Sequence, residues 1–168
     1  MERSISYKYA YTLLEKPAAV AQMQGSDLAP NIKGTVSLYA ADNGTLVAAE
    51  INGLPAAVPG TATTQPINPF GFHLHTGATC DMPNAAEPFP GSMGHYNPTN
   101  QPHPDHAGDF PVLLANNGYA FMVFFTNRFR PGDVIGKAVV IHQNPDDFRT
   151  QPAGNSGKKI ACGIVKKA

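Results

Sequence analysis

The sequence has few charged residues and no excess of either sign. Charged side chains make up 14% of the 168 residues, with 12 basic and 12 acidic, so the formal net charge is zero. This balance argues against a nucleic-acid-binding surface or a polybasic membrane patch. Apolar residues reach 42%, so the chain is not a disordered one extended by charge repulsion. We therefore expect a folded protein without nucleic-acid or membrane partners.

A long apolar run and a secretory signal are also missing. The longest apolar stretch, Tyr119 to Phe125, is much shorter than the roughly 18 residues of a membrane helix. Residues 1–17 carry five charges and no clean apolar segment, which is unlike a signal peptide. We expect the chain as given to be cytoplasmic, or extracytoplasmic if a signal has been removed. The length suits one domain, placed at 18–168 behind an N-terminal extension at 1–17.

Glycine and proline are abundant, at 16 each, which is too much chain breaking for a helical bundle. Residues 32–39 alternate between apolar and polar side chains, and the turn Asp42-Asn43-Gly44 separates them from a second strand at 45–51. Further strands are predicted at 18–23, 70–75, 112–115, 119–125, 133–142 and 159–165. About eight short strands joined by turns predict an all-β antiparallel sandwich or barrel.

The histidines are grouped late in the chain, five of the six between residues 73 and 106. His73 and His75 flank one residue of a predicted strand, so both imidazoles point to the same face, about 7 Å apart. His142 ends another predicted strand and can complete a set of three. Nitrogen-only sites of this kind suit copper, zinc or iron.

Residues 76–110 show neither the strand nor the helix period. Such a long irregular segment in a compact domain either has a function or is held in place by a specific interaction. It contains a second set of candidate ligands: His95, His103, His106 and Asp109. Three imidazoles and a carboxylate are typical of structural zinc, and an ion would pin the segment. A solvated polar loop is the alternative. Copper favours a fourth ligand, and a deprotonated imidazole can bridge two ions, so His95 is the candidate bridge.

The two cysteines, Cys80 and Cys162, allow two interpretations from spacing alone. One is a disulfide closing a loop of about 80 residues. The other is a pair of buried free thiols, which a reducing compartment favours.

Taken together, these motifs resemble those of the copper/zinc superoxide dismutases, most closely the bacterial type. The resemblance runs from about Ile32 to Val165 and keeps the family's order of motifs. The matching segments are Gly71-Phe72-His73-Leu74-His75, Gly94-His95-Tyr96-Asn97-Pro98, His106-Ala107-Gly108-Asp109, Val139-Val140-Ile141-His142, Gly154-Asn155-Ser156-Gly157 and Ala161-Cys162-Gly163.

The resemblance implies an eight-stranded, immunoglobulin-like Greek-key β-sandwich with long metal-binding and electrostatic loops. It implies a copper site formed by His73, His75, His95 and His142. It also implies a zinc site formed by His95, His103, His106 and Asp109, with His95 as the bridge. Asp146 matches an outer carboxylate that links His73 to His103. Cys80 and Cys162 match the family's disulfide, which reverses the preference for free thiols.

The implied reaction is the disproportionation of superoxide to dioxygen and hydrogen peroxide by a redox-cycling copper. Zinc has no redox chemistry and would shape the loop and tune the bridging imidazole. His95 is expected to take up a proton and supply it to the second product. Superoxide is the expected small-molecule partner, and a homodimer is expected without an identified interface.

Three departures from the family pattern affect substrate binding. Lys159 stands where the family places an arginine beside copper, and lysine keeps the charge but not the planar fork. Ala153 replaces a threonine that narrows the channel. The short loop at 143–158 leaves steering to Arg149, Lys158 and Lys159, with ordinary solvated charges as the alternative for Arg149 and Lys158. The alternative function is a dismutase-like copper-binding or structural module with little turnover.

Overall fold

The computed structural model describes residues 13, 15–82 and 86–168. Its strands are β1 (Ala19–Gly25), β2 (Lys33–Ala41), β3 (Gly44–Asn52), β4 (Phe72–His75), β5 (Ala120–Thr126), β6 (Ala138–His142) and β7 (Lys159–Lys167). Two short 3-10 helices lie at Pro90–Ser92 and Pro131–Val134. Most of the proposed N-terminal extension at 1–17 lies outside the described residues. No described helix is long and apolar enough to cross a membrane.

All seven strands form one curled antiparallel sheet in the order β4-β6-β7-β1-β2-β3-β5. The chain therefore crosses from β3 to the far edge of the sheet at β4, and then returns to the opposite edge at β5. The second crossing is the irregular segment that begins at residue 76. The all-β class predicted from the sequence is confirmed.

Two of the predicted strands are shorter than the sequence pattern suggests. In the predicted strand at 112–115, only Leu113 pairs, in an isolated bridge with Phe70. The predicted start of a strand at 133 is wrong, because Asp133 belongs to a 3-10 helix and its carboxylate accepts the backbone N–H of Arg130; the rest of that prediction, from Ala138 to His142, is β6. Gly136 then takes a φ of 84°, which breaks the extended backbone before β6 begins.

The alternation of side chains along β4 separates the hydrophobic core from the histidines. Phe72 and Leu74 join the main core cluster inside the curled sheet. His73 and His75 point to the opposite face and are nevertheless almost fully buried. The irregular segment covers that face, so the same strand supports both the core and the candidate site.

The irregular segment is tied to the sheet by a disulfide. Cys80 bonds to Cys162 of β7 across a sequence separation of 82 residues. Cys162 packs with Phe89 and Val140 in a second, smaller hydrophobic cluster. The disulfide implied by the resemblance is therefore present, and it holds the segment against β6 and β7 beside the histidines.

Candidate metal centre

Four imidazoles converge on the outer face of β4 and β6. His73 and His75 come from β4, His142 ends β6, and His95 pairs with His75 through an isolated antiparallel bridge. The ring centroid of His73 lies 4.0 Å from that of His95 and 4.9 Å from that of His142. One ring nitrogen from each histidine lies within 4.8 Å of the others. The structure therefore brings together the four histidines that the sequence analysis grouped as candidate copper ligands.

The hydrogen bonds of three of these rings leave one nitrogen of each for a metal ion. The Nδ1–H of His75 donates to the Met93 carbonyl at 2.8 Å, and the Nδ1–H of His142 donates to the Gly157 carbonyl at 3.2 Å. A carbonyl only accepts, so the proton sits on Nδ1 and leaves Nε2 as a lone pair in the neutral ring. His73 bonds through Nε2 to Asp146 Oδ2 at 2.7 Å, which leaves its Nδ1.

These nitrogen lone pairs form a site suited to a cation. The Nε2 atoms of His75 and His142 lie 3.2 Å apart, so two lone pairs face each other across a buried space. The buried Nδ1 of His73 and Nε2 of His95 have no hydrogen-bond partner. Unsatisfied buried acceptors are costly, and a metal ion at their centre would satisfy all four. The donor set therefore fits copper, which imidazole ligands suit.

A second cluster lies beside the first and shares His95 with it. The Asp109 carboxylate lies 2.7 Å from His95 Nδ1, 3.0 Å from His103 Nδ1 and 3.2 Å from His106 Nδ1. The contact to His103 lacks hydrogen-bond geometry, and its Nδ1 counts as a buried nitrogen without a partner. The four ligand atoms lie within 4.8 Å of one another. Three imidazoles around one carboxylate fit a closed tetrahedral zinc site.

His95 is the one histidine that belongs to both clusters. Its Nδ1 faces Asp109 in the second cluster, and its Nε2 faces the first cluster. Asp146 links the clusters again from behind, because its Oδ2 accepts from His73 Nε2 and its Oδ1 lies 2.9 Å from His103 Nε2. This carboxylate is almost fully buried and orients one ring of each cluster.

Burial favours the neutral form of three imidazoles of the first cluster, those of His73, His75 and His142. Burial lowers the pKa of both β4 histidines well below the usual value, and the neighbouring imidazoles lower it further. Burial likewise lowers the pKa of His142 to about 4. For Asp109, burial alone raises the pKa, but the hydrogen bond from His95 and nearby imidazoles lower it overall. Neutral imidazoles and an ionised carboxylate are the forms that bind metal ions.

Lys159 is next to the first cluster, but its ammonium group is already bonded. Its Nζ donates to Ser92 Oγ at 2.8 Å, to the Met93 carbonyl at 3.0 Å and to the Phe89 carbonyl at 3.2 Å. An ammonium has three N–H donors, so these contacts use all of them. Burial lowers the Lys159 pKa, while the charge of Glu87 opposes that shift.

The accessible side of His142 opens into a cavity of about 290 Å³. Ala153 lines it, together with neutral residues such as Gln151 and Asn155. Arg149 and Lys158, the predicted steering residues, are exposed neighbours of this wall and do not line the cavity.

Sequence reasoning missed three positions that build the site. Ser92 and Met93 supply two of the three oxygens that bond to Lys159, and the Met93 carbonyl also orients His75. Met93 adopts a φ of 61°, which few residues other than glycine take. Gly154 lies against Asp146 and His103, where a Cβ atom would overlap the carboxylate. Only the glycine carried a signal, since it belongs to the Gly154-Asn155-Ser156-Gly157 motif.

Comparison with known proteins extends these observations. The family model for copper/zinc superoxide dismutase (SODC) matches residues 32–165. A copper/zinc superoxide dismutase of Deinococcus radiodurans is 31% identical over 157 residues, covering 83% of this chain and 80% of the relative. Superoxide dismutase [Cu-Zn] 1 of Aquifex aeolicus is 33% identical over 148 residues, covering 79% of each.

The solved structures give the same result for the fold. The copper/zinc superoxide dismutase of Brucella abortus superposes with a TM-score of 0.65 at 22% identity, over 87% of this chain and 98% of that one. A P104H mutant of a superoxide-dismutase-like protein from Bacillus subtilis superposes with a TM-score of 0.69 at 26% identity, over 88% and 97%. The chain belongs to the copper/zinc superoxide dismutase family.

Proposed function

We propose that this protein disproportionates superoxide to dioxygen and hydrogen peroxide, with His73, His75, His95 and His142 as copper ligands. The proposed zinc ligands are His95, His103, His106 and Asp109. One observation carries the proposal: two adjacent ligand clusters share a single imidazole, and they contain every buried side-chain nitrogen or oxygen that lacks a hydrogen-bond partner among the described residues. Family membership supports the activity and the two metals.

When bound, copper supplies the one-electron redox chemistry and zinc, which is not redox active, fixes the loop. Each superoxide pair needs two protons, which this chain's own groups must help to deliver. His95 is the proposed proton carrier, because its Nε2 is buried and unbonded while its Nδ1 is held by Asp109. His95 Nε2 has one lone pair, so it would carry a proton only while it is not serving as a metal ligand. That proton would pass to the reduced product, and no free peroxide dianion would have to form.

Lys159 is the proposed source of positive charge for the substrate anion. Because its three N–H donors already bond to protein oxygens, it attracts superoxide through its field and leaves no N–H for a direct hydrogen bond. Arg149 and Lys158 are proposed to add to this field from the exposed rim. A homodimer is proposed from the family alone, and light scattering of the purified protein would test it.

Metal loading followed by a superoxide-removal assay tests the function directly. Protein loaded with both metals should be active, and the metal-free protein should not. Activity equal to that of the metal-free protein would reject the proposal. Replacing His142 with Ala removes one proposed copper ligand and should abolish copper-dependent activity, whereas His106→Ala should remove zinc first.

The second candidate function is a copper-binding module with little turnover. The saturated bonding of Lys159 and the neutral wall of the cavity beside His142 favour it. It predicts tight copper binding by the same four histidines together with a low rate. If the protein with full copper occupancy removes superoxide no faster than the metal-free protein, that result would favour the binding module over the enzyme.

A further inference from the structure

The segment that supplies most of the zinc-site ligands is built from two consecutive tight turns. The Asp105 N–H donates to the Pro102 carbonyl at 2.8 Å, and the Asp109 N–H donates to the His106 carbonyl at 3.2 Å. His103 lies in the first turn and His106 begins the second. The convergence of their rings on Asp109 therefore depends on the angle at which one turn follows the other.

Arg128, in the loop after β5, spans the junction of these turns. Its Nη1 donates to the His106 carbonyl at 2.8 Å and to the Pro104 carbonyl at 3.3 Å. Its Nη2 lies 3.6 Å from the Asp105 carboxylate. One planar guanidinium thus contacts three consecutive residues, two through their carbonyls, and it holds both turns at once.

Arg128 is itself fixed by the core. Its backbone N–H donates to Thr126 Oγ1 at 3.2 Å. The next residue, Phe129, is buried, and its carbonyl accepts from Thr45 Oγ1 at 2.9 Å. The Phe129 ring lies 6.1 Å from that of Phe110, which directly follows Asp109. The guanidinium is therefore presented from a scaffold that is anchored beside the ligand carboxylate.

We propose that Arg128 is a positioning residue for the zinc site, which sets the angle between the two turns so that the ligand atoms of His103, His106 and Asp109 converge. It acts through the backbone and contacts no metal. This inference rests on the zinc ligand set given under the proposed function. Groups that orient metal ligands from outside typically change metal affinity by about 10- to 100-fold when they are replaced.

Zinc affinity of four proteins tests the inference: wild type, Arg128→Gln, Arg128→Lys and the control Arg130→Gln. Arg130 is exposed on the same loop, and its replacement makes the same change of charge. Affinity is measured on metal-free protein by competition with a chromophoric chelator, and Co²⁺ bound in place of zinc reports ligand geometry through its visible spectrum.

We expect Arg128→Gln to weaken zinc binding about 10- to 100-fold and to alter the Co²⁺ spectrum. Arg128→Lys keeps the charge without the fork and should fall between wild type and Arg128→Gln, while Arg130→Gln should match wild type. Wild-type zinc affinity in Arg128→Gln would overturn the role of Arg128, as would an equal loss in Arg130→Gln.

Two further outcomes separate this inference from the ligand assignment. A wild-type protein that binds no zinc would overturn the ligand set itself. If circular dichroism shows that Arg128→Gln does not fold, Arg128→Lys carries the test, and wild-type affinity and spectrum in that variant would overturn the inference.

Discussion

Asp146 offers the sharpest test of how the two metal sites are oriented, through the substitution Asp146→Asn. Its carboxylate accepts two imidazole N–H groups, from His73 at 2.7 Å and from His103 at 2.9 Å. Oδ1 accepts a third donor, the Phe148 backbone N–H, at 2.7 Å. An asparagine side chain has one acceptor oxygen and one NH₂ donor, so it cannot serve all three.

The two sites should respond unequally because the two carboxylate oxygens are used unequally. The amide oxygen should take the Oδ1 position, where it keeps the bonds from His103 and Phe148. The NH₂ group then faces His73 Nε2–H, which is a clash of two donors. His73 can avoid this clash by changing tautomer, which places its proton on Nδ1, the atom proposed to bind copper. The substitution therefore damages the copper site and leaves zinc binding little changed.

The magnitude follows from the lost bond. A hydrogen bond to a charged group contributes about 1.5–3 kcal/mol, and about 1.4 kcal/mol corresponds to a tenfold change in affinity. We expect copper affinity to fall about 10- to 100-fold, in line with other outer carboxylates. Chelator competition on metal-free protein measures both metals separately. Asp147→Asn, which makes the same change of charge at the adjacent half-buried residue, is the matched control.

If Asp146→Asn lowers copper and zinc affinity equally, or lowers zinc affinity more, then the two carboxylate oxygens do not have the different roles inferred here. Asp146→Ala removes both acceptors, and it should weaken both sites. An Asp147→Asn protein with the same copper loss would show that the effect comes from net charge.

Three other measurements address substrate binding, the disulfide and the buried histidines. Lys159→Arg should raise turnover severalfold, because arginine can keep the carbonyl contacts and still offer N–H groups to the anion; an unchanged rate in a stopped-flow assay would count against a docking defect. Cys162→Ser should lower the free energy of unfolding by about 4–5 kcal/mol, from the 82-residue separation, and a urea titration showing under about 1 kcal/mol would contradict that model. The His142 pKa, lowered by burial to about 4, is about 6.5 in the unfolded chain, so the folded state binds fewer protons between these values. Metal-free protein should therefore lose stability as pH falls from about 6.5 towards 4, and urea midpoints that stay constant over that range would disprove it.

The grouping of the candidate copper ligands on one face could be predicted from the sequence, because their spacing follows backbone geometry. Two histidines separated by one residue of a strand must share a face, and His142 ends the strand that pairs with β4. The fold class could be predicted for the same reason, since alternation and turn residues are local signals. Only the first part of the strand predicted at 133–142 is wrong, because a competing local signal, the capping interaction of Asp133, places that residue in a 3-10 helix.

The supporting residues could not be predicted, because their roles depend on contacts between distant parts of the chain. Arg128 contacts residues 104–106 only because the chain crosses the sheet between β4 and β5. Lys159 bonds to Ser92 and Met93, which are 67 and 66 residues away in the sequence. Neither contact produces a periodic pattern in the sequence that could have predicted it. Lys159 shows the consequence, since its sequence position predicts a charge that attracts the anion but orients it less well than an arginine. Its contacts show that all three N–H donors of the ammonium bond to protein oxygens, so its positive charge lies beside the first histidine cluster without a donor left for the anion. A dismutase built this way should rely on attraction of the anion more than on its orientation, and its rate should fall steeply with ionic strength.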